Sequence, residues 1–179
     1  MSTIAQNLGQ TAHLSPLLHK AKRLGLNSAD DLLKLAVERG CKHYAPSDYR
    51  PGQVCEPGLA AFSDAELAIA LISGAQRYDP LYIRCAAQLM GAPHMDPSAV
   101  CRLALMERCS TVLRHIARAG YENDKERTSF WGDILQRLPI SQPVKAGILP
   151  HSSRFQSITG LVNPRHPGIP RAVWLRPAR

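Results

Sequence analysis

Residues 63–90, SDAELAIALISGAQRYDPLYIRCAAQLM, decide the fold class, because they contain two helix starts, each followed by an apolar run. Glu66 follows Ser63 at the spacing of a capping box. Asp79 and Pro80 form a strong signal for a cap and a first helical turn. Apolar residues recur at helical spacing after both starts. The stretch therefore predicts two helices that pack in a core.

Similar signals occur on the N-terminal side of this stretch. Apolar spacing predicts a helix over residues 17–24, and Ser28 predicts the cap of a second helix that stops at Gly40. We expect these two helices to form a hairpin. Residues 41–58 contain three prolines and two glycines without periodicity, which predicts a long loop.

On the C-terminal side, Asp96 and Pro97 predict the longest helix, which runs to about residue 120. Cys101 and Cys109 fall on its apolar arc and are expected in the core. Arg102 falls on the same arc, so we expect it to pair with an acid. One set of residues is predicted to share the apolar arc and another the polar arc. The apolar set is Cys101, Leu105, Met106, Cys109, Val112, Leu113 and Ile116, and the polar set is Glu107, Thr111, Arg114, His115 and Arg118.

A last helix is predicted over residues 124–138, and after Pro139 the pattern changes. Residues 153–162 and 172–175 are β-prone and are separated by turn-forming residues, which predicts a C-terminal β-hairpin. Alternation within the second run predicts a buried Trp174. The expected fold class is therefore mainly α, a compact bundle of about five to six short helices with a small C-terminal β-hairpin. Residues 1–138 are expected to form the helical body, and residues 139–179 a basic, proline-rich segment packed on it.

Charge is distributed unevenly along the 179 residues. The net charge is +8, yet every acid lies at or before Asp133, and residues 134–179 carry seven basic residues and no acid. Such a separation indicates a polyanionic partner rather than a feature of the core. The residues expected to contact nucleic acid are Lys145, Arg154, Arg165, Arg171, Arg176 and Arg179.

Two functions remain open on this evidence. The first is a small regulatory or architectural module that binds nucleic acid, because arginine guanidinium groups hydrogen bond to phosphates and stack on bases. Phe155 and Trp174 either offer stacking faces or lie in the core. The second function is a helical adaptor that docks on an acidic protein surface, without catalysis.

Catalytic and metal signatures are lacking in the sequence. No nucleophile elbow, phosphate-binding glycine loop or zinc-protease motif is present, so we expect neither an enzyme nor a cofactor. The closest match to a set of zinc ligands is formed by Cys41, His43 and Cys55. Their spacing lacks a paired C-x2-C, so no metal site is predicted.

Two further patterns bear on function. The helices around Gly74 resemble a helix-turn-helix in order, but their turn is too long for the tight DNA-reading form, which favours two core helices. Five cysteines at wide spacing, an N-terminus without a secretory pattern and the absence of a long apolar run predict a cytoplasmic protein with reduced thiols that does not associate with a membrane.

Overall fold

The computed structural model describes residues 2–11, 13–52, 59–141, 143–160 and 170–178. The elements in chain order are α1 (Ile4–Asn7), α2 (Pro16–Arg23), α3 (Ala29–Glu38), α4 (Asp64–Ile72), α5 (Pro80–Met90), α6 (Pro97–Met106), α7 (Ser110–Asn123), α8 (Thr128–Arg137), β1 (Gln156–Thr159) and β2 (Arg171–Trp174). Short 3-10 turns occupy Lys42–Tyr44, Leu59–Ala61, Lys125–Arg127 and Ser152–Phe155. The mainly helical fold with a small C-terminal sheet is confirmed.

The predicted helix starts are confirmed by their capping bonds. Ser63 accepts from the backbone of Glu66 and completes a capping box, and Ser28 does the same for α3. Asp79 and Asp96 each cap a helix whose first residue is proline. The short helix α1 was not predicted, because its four residues carry too little periodicity to identify.

Helix α4 lies at the centre of the core. Its residues from Leu67 to Ile72 are all fully buried, and it packs against α5, α6 and α3. Most of α5 is also buried. Neither helix is exposed enough to enter a DNA groove. The prediction that the two helices around Gly74 pack in the core is therefore confirmed.

The prediction of one long helix from residue 97 to 120 is wrong. The chain ends α6 at Met106 and starts α7 at Ser110, with Arg108 in the left-handed region at φ 51°. Cys109 N–H donates to the Ala104 carbonyl (3.0 Å) and Arg108 N–H donates to that of Leu105 (3.3 Å), the paired bonds of a Schellman helix end.

This break changes which residues face the core. Arg102, Leu105 and Met106 were predicted on the apolar arc, but all three are exposed, Leu105 by 51% and Met106 by 44%. Arg102 therefore needs no buried acidic partner. Glu107 was placed on the polar arc but is fully buried, where it accepts from Leu17 N–H (2.8 Å) and Ser73 Oγ (2.6 Å). The periodicity was extended across a turn that resets the helical phase. The predicted burial of Cys101 and Cys109 is confirmed.

The C-terminal hairpin packs on the helical body. β1 and β2 pair antiparallel, with Gln156 opposite Trp174. The Trp174 indole is 3% exposed, lies 5.0 Å from the Trp131 ring centre and donates to the Ala87 carbonyl (3.2 Å). A Cβ on Gly91 would lie 2.9 Å from Trp174 Cδ1, so this close approach requires glycine. The predicted burial of Trp174 is confirmed.

Within the described ranges, none of the helices combines the length and the apolar character needed to cross a membrane.

Candidate nucleic-acid interface

The outward face of α7 carries the cations of the site. This helix buries Val112, Leu113, Ile116 and Ala117 on one side. The opposite side carries Thr111, Arg114, His115 and Arg118. Thr111 and Arg118 each lie three or four residues from both Arg114 and His115, which places these side chains next to one another on the helix surface. The predicted polar arc is therefore confirmed for them.

Residues 139–141 and 143–150 lie alongside this face and are held there by hydrogen bonds to their backbone carbonyls. His115 Nε2 donates to the Pro150 carbonyl (2.8 Å), and the Tyr78 hydroxyl donates to that of Ile148. Leu149 is buried in the core between them. The segment is therefore fixed at its C-terminal end, in spite of its three prolines.

Two adjoining cavities lie between α7 and this segment, and together they form what we call the basic groove. Their volumes are about 180 and 480 Å³. Both are lined by Thr111, Ser141, Pro143 and Val144. The smaller cavity adds Arg114, His115 and Arg118, and the larger adds Asn7, Leu8, Gln10, Lys145 and Ile148.

Every charged side chain among the described residues that line the basic groove is a cation. Arg118 and Lys145 are exposed, so their charged groups can meet a ligand without breaking a protein contact shown here. Arg114 is held differently, since its Nη1 donates to the carbonyls of Leu135 (2.9 Å) and Leu138 (3.2 Å) at the end of α8. These bonds fix its guanidinium and leave its other N–H groups to bind an anion.

The predicted contact residues do not all reach this groove. Lys145 lines it, and Arg154 is exposed four residues after Pro150. Arg171 is exposed at the start of β2. Arg165 and Arg179 lie outside the described residues.

Arg176 differs from the other predicted contact residues because it is already paired. Its Nη2 lies 2.5 Å from Asp124 Oδ1 and 3.1 Å from Glu126 Oε2. Its backbone carbonyl accepts from Gln88 Nε2 (2.8 Å). These contacts give Arg176 a structural role in holding the C-terminal segment to the body.

Three groove residues were missed as site residues by the sequence analysis. The sequence predicts Arg114, His115 and Arg118 only as part of a polar arc, because its charge asymmetry favours the acid-free tail as the contact region. The signal that could have found them is the spacing of two arginines four residues apart with a histidine between them. Such a cluster is usually just a solvated helix face, and only the packing of residues 143–150 beside it forms a groove here.

The aromatic residues of the tail do not offer stacking faces. Phe155 is 1% exposed and Trp174 is 3% exposed, and their ring centres lie 5.5 Å apart. The sequence left open whether this pair offers stacking faces or lies in the core, and the structure places both rings in the core.

Cys41 and His43, two of the candidates for metal binding, differ in solvent exposure. Cys41 is fully buried and its side chain is hydrogen bonded to Cys85, whereas His43 is exposed and lines a different cavity. Cys55 lies outside the described residues. No group of three metal-binding side chains occurs in the parts of the chain that the structure describes.

The thiols are poor nucleophiles for a physical reason. The hydrogen bond with Cys41, together with burial, raises the pKa of Cys85 well above its usual range, and burial raises the pKa of Cys101 to about 11. Since the thiolate is the reactive form, these cysteines are protonated near neutral pH.

Comparisons with protein-family models, with curated proteins and with solved structures find no match to this chain.

Proposed function

We propose that this chain is a small, non-enzymatic regulatory or architectural module that binds nucleic acid through phosphates held in the basic groove. The observation that carries the proposal is that Arg114, Arg118 and Lys145 line one groove without an acid among its described lining residues. A concave surface lined by one sign of charge focuses its field on an approaching polyanion.

The chemistry of these cations suits phosphate. An arginine fork can donate two parallel hydrogen bonds to phosphate oxygens, and a lysine adds a point charge. His115 is used by the fold instead, since its Nε2 donates to a backbone carbonyl and Nδ1 of that tautomer is an acceptor, which cannot donate to a phosphate oxygen. Arg154 and Arg171 extend the positive surface outside the groove. Contacts of this kind fix a phosphate backbone but do not read a base sequence.

The proposal includes a cytoplasmic location. Cys41, Cys85, Cys101 and Cys109 are free thiols, which is typical of proteins in a reducing compartment.

The direct test is a fluorescence anisotropy titration of a labelled oligonucleotide at low salt. We expect binding by the wild type and, for Arg118→Ala and Lys145→Ala, a loss of about fivefold or more each, which corresponds to about 1 kcal/mol or more per charged contact. Arg23→Ala is the matched control, because Arg23 is an exposed arginine on α2 that lines neither cavity. Absence of binding at low salt would overturn the proposal.

A second candidate is docking on an acidic protein, and Ile140 favours it. This side chain is 90% exposed next to Ser141 of the basic groove. An apolar side chain makes no favourable contact with a phosphate group, so nucleic-acid binding does not explain its exposure. Protein interfaces combine apolar side chains at their centre with a polar rim. Nuclease treatment of the protein with its co-purified material separates the two functions, since a protein complex survives it. Ile140→Ser should weaken only the protein complex.

A further inference from the structure

Tyr121 is the most accessible aromatic side chain in the described part of the chain. It is 48% exposed, whereas every other Phe, Tyr or Trp ring in those residues is buried or half-buried. An exposed aromatic ring offers a large, flat apolar face that a ligand can cover.

The position of Tyr121 connects it to the basic groove. It lies on α7 three residues after Arg118 and seven after Arg114, so the three side chains follow one row along the helix. At 1.5 Å per residue the row from Arg114 to Tyr121 is about 10 Å long. The tyrosine therefore extends the wall from which both arginines project.

Helix α8 supports the tyrosine ring. A Cβ on Gly132 would lie 3.4 Å from Tyr121 Cε2 and 3.7 Å from Cδ2, so the ring lies against the α8 backbone where no side chain intervenes. A ring that is already held against a helix loses little conformational freedom when a second flat group packs on it.

We propose that the basic groove takes nucleic acid as a single strand, with one base stacked on Tyr121 beside a phosphate bound by Arg118. The inference rests on the proposed function and names the form of its ligand. The bases of a duplex are stacked inside it and cannot reach the ring, whereas every base of a single strand offers a flat face. Stacking on one ring with phosphate contacts beside it gives binding that tolerates any sequence.

The test compares single-stranded and duplex oligonucleotides of equal length by anisotropy at one salt concentration. We expect the wild type to bind the single strand more tightly. Tyr121→Ala should weaken single-strand binding by about 5-fold to 150-fold, as expected for one lost base stack, and should leave duplex binding unchanged. Tyr121→Phe keeps the ring and should bind like the wild type.

A second readout reports stacking itself. A single strand that contains 2-aminopurine should lose fluorescence on binding the wild type, Tyr121→Phe and Arg23→Ala, but not on binding Tyr121→Ala or Tyr121→Leu. The leucine variant keeps an apolar side chain packed against α8, so it separates loss of stacking from loss of fold.

The outcomes distinguish this inference from the proposed function. If Arg118→Ala weakens binding while Tyr121→Ala does not, or if duplex binds as tightly as single strand, the stacked single strand is wrong and phosphate binding stands. If neither the single strand nor the duplex binds at low salt, both the stacked single strand and the proposed function are wrong.

Discussion

Arg176 and Asp124 join the C-terminal segment to the end of α7 through an ion pair in which Nη2 lies 2.5 Å from Oδ1. Asp124 is 2% exposed, and its other oxygen accepts from the Trp131 indole (2.9 Å). The tail is thereby tied to the same residue that orients the central tryptophan. One of the arginines that the sequence suggests for a partner is used for the fold instead.

Removing Arg176 should destabilise the protein. Arg176→Ala leaves the Asp124 carboxylate buried without its cation, a change that typically costs about 3–5 kcal/mol, and the partial exposure of Arg176 favours the lower end. The measurement is the free energy of unfolding from urea denaturation. Arg171→Ala is the control, because Arg171 is exposed on β2 and should change stability by no more than about 0.5 kcal/mol. Equal stability of Arg176→Ala and the wild type would show that the ion pair does not hold the tail.

Truncating Trp174 should lower the melting temperature by about 6 to 20 °C. The indole packs between Trp131 and Phe155, and losing a buried tryptophan side chain costs about 3–5 kcal/mol. Calorimetry of Trp174→Ala measures this directly. The neighbouring Val173→Ala, at a side chain that is 37% exposed, should melt close to the wild type. Unchanged melting of Trp174→Ala would mean that β2 does not pack on the body in solution.

Replacing Arg108 with glycine should stabilise the protein. A φ of 51° costs a residue with a side chain about 1–2 kcal/mol, and glycine removes this strain. Part of the gain is lost because glycine also raises the conformational entropy of the unfolded chain. The expected gain is about 0.5–1 kcal/mol. The same substitution inside α6, Arg102→Gly, should instead cost about 0.8–1 kcal/mol. Opposite shifts of the two melting temperatures confirm the helix break, and a loss of stability in both would contradict it.

The sequence predicts the helix starts and the fate of Trp174 because those features depend on local chemistry. Ser28, Ser63 and Asp96 cap helices through bonds to residues two or three positions away. The break at Arg108 carries no comparable signal, since arginine is a good helix former and seldom adopts a positive φ. Glu107 becomes a buried acceptor only because that break turns it toward α2 and the end of α4.

The basic groove could be predicted only in part. The charge of the tail predicts Lys145 as a contact residue, whereas helical spacing places Arg114 and Arg118 only on a polar arc, and no local signal joins the three. They line adjoining cavities because Leu149 is anchored in the core and Pro150 accepts a bond from His115, which are contacts between distant parts of the chain. Pairing of Arg176 with Asp124 is equally non-local.

The salt dependence of single-strand binding tests phosphate contact in the basic groove most directly. Each lost phosphate contact should reduce the slope of log K against log salt concentration by about 0.7 on a single strand. We predict that a protein carrying both Arg118→Ala and Lys145→Ala shows a slope smaller than that of the wild type by about 1.4, while Arg23→Ala keeps the wild-type slope. A double variant with the wild-type slope would contradict phosphate binding by these residues.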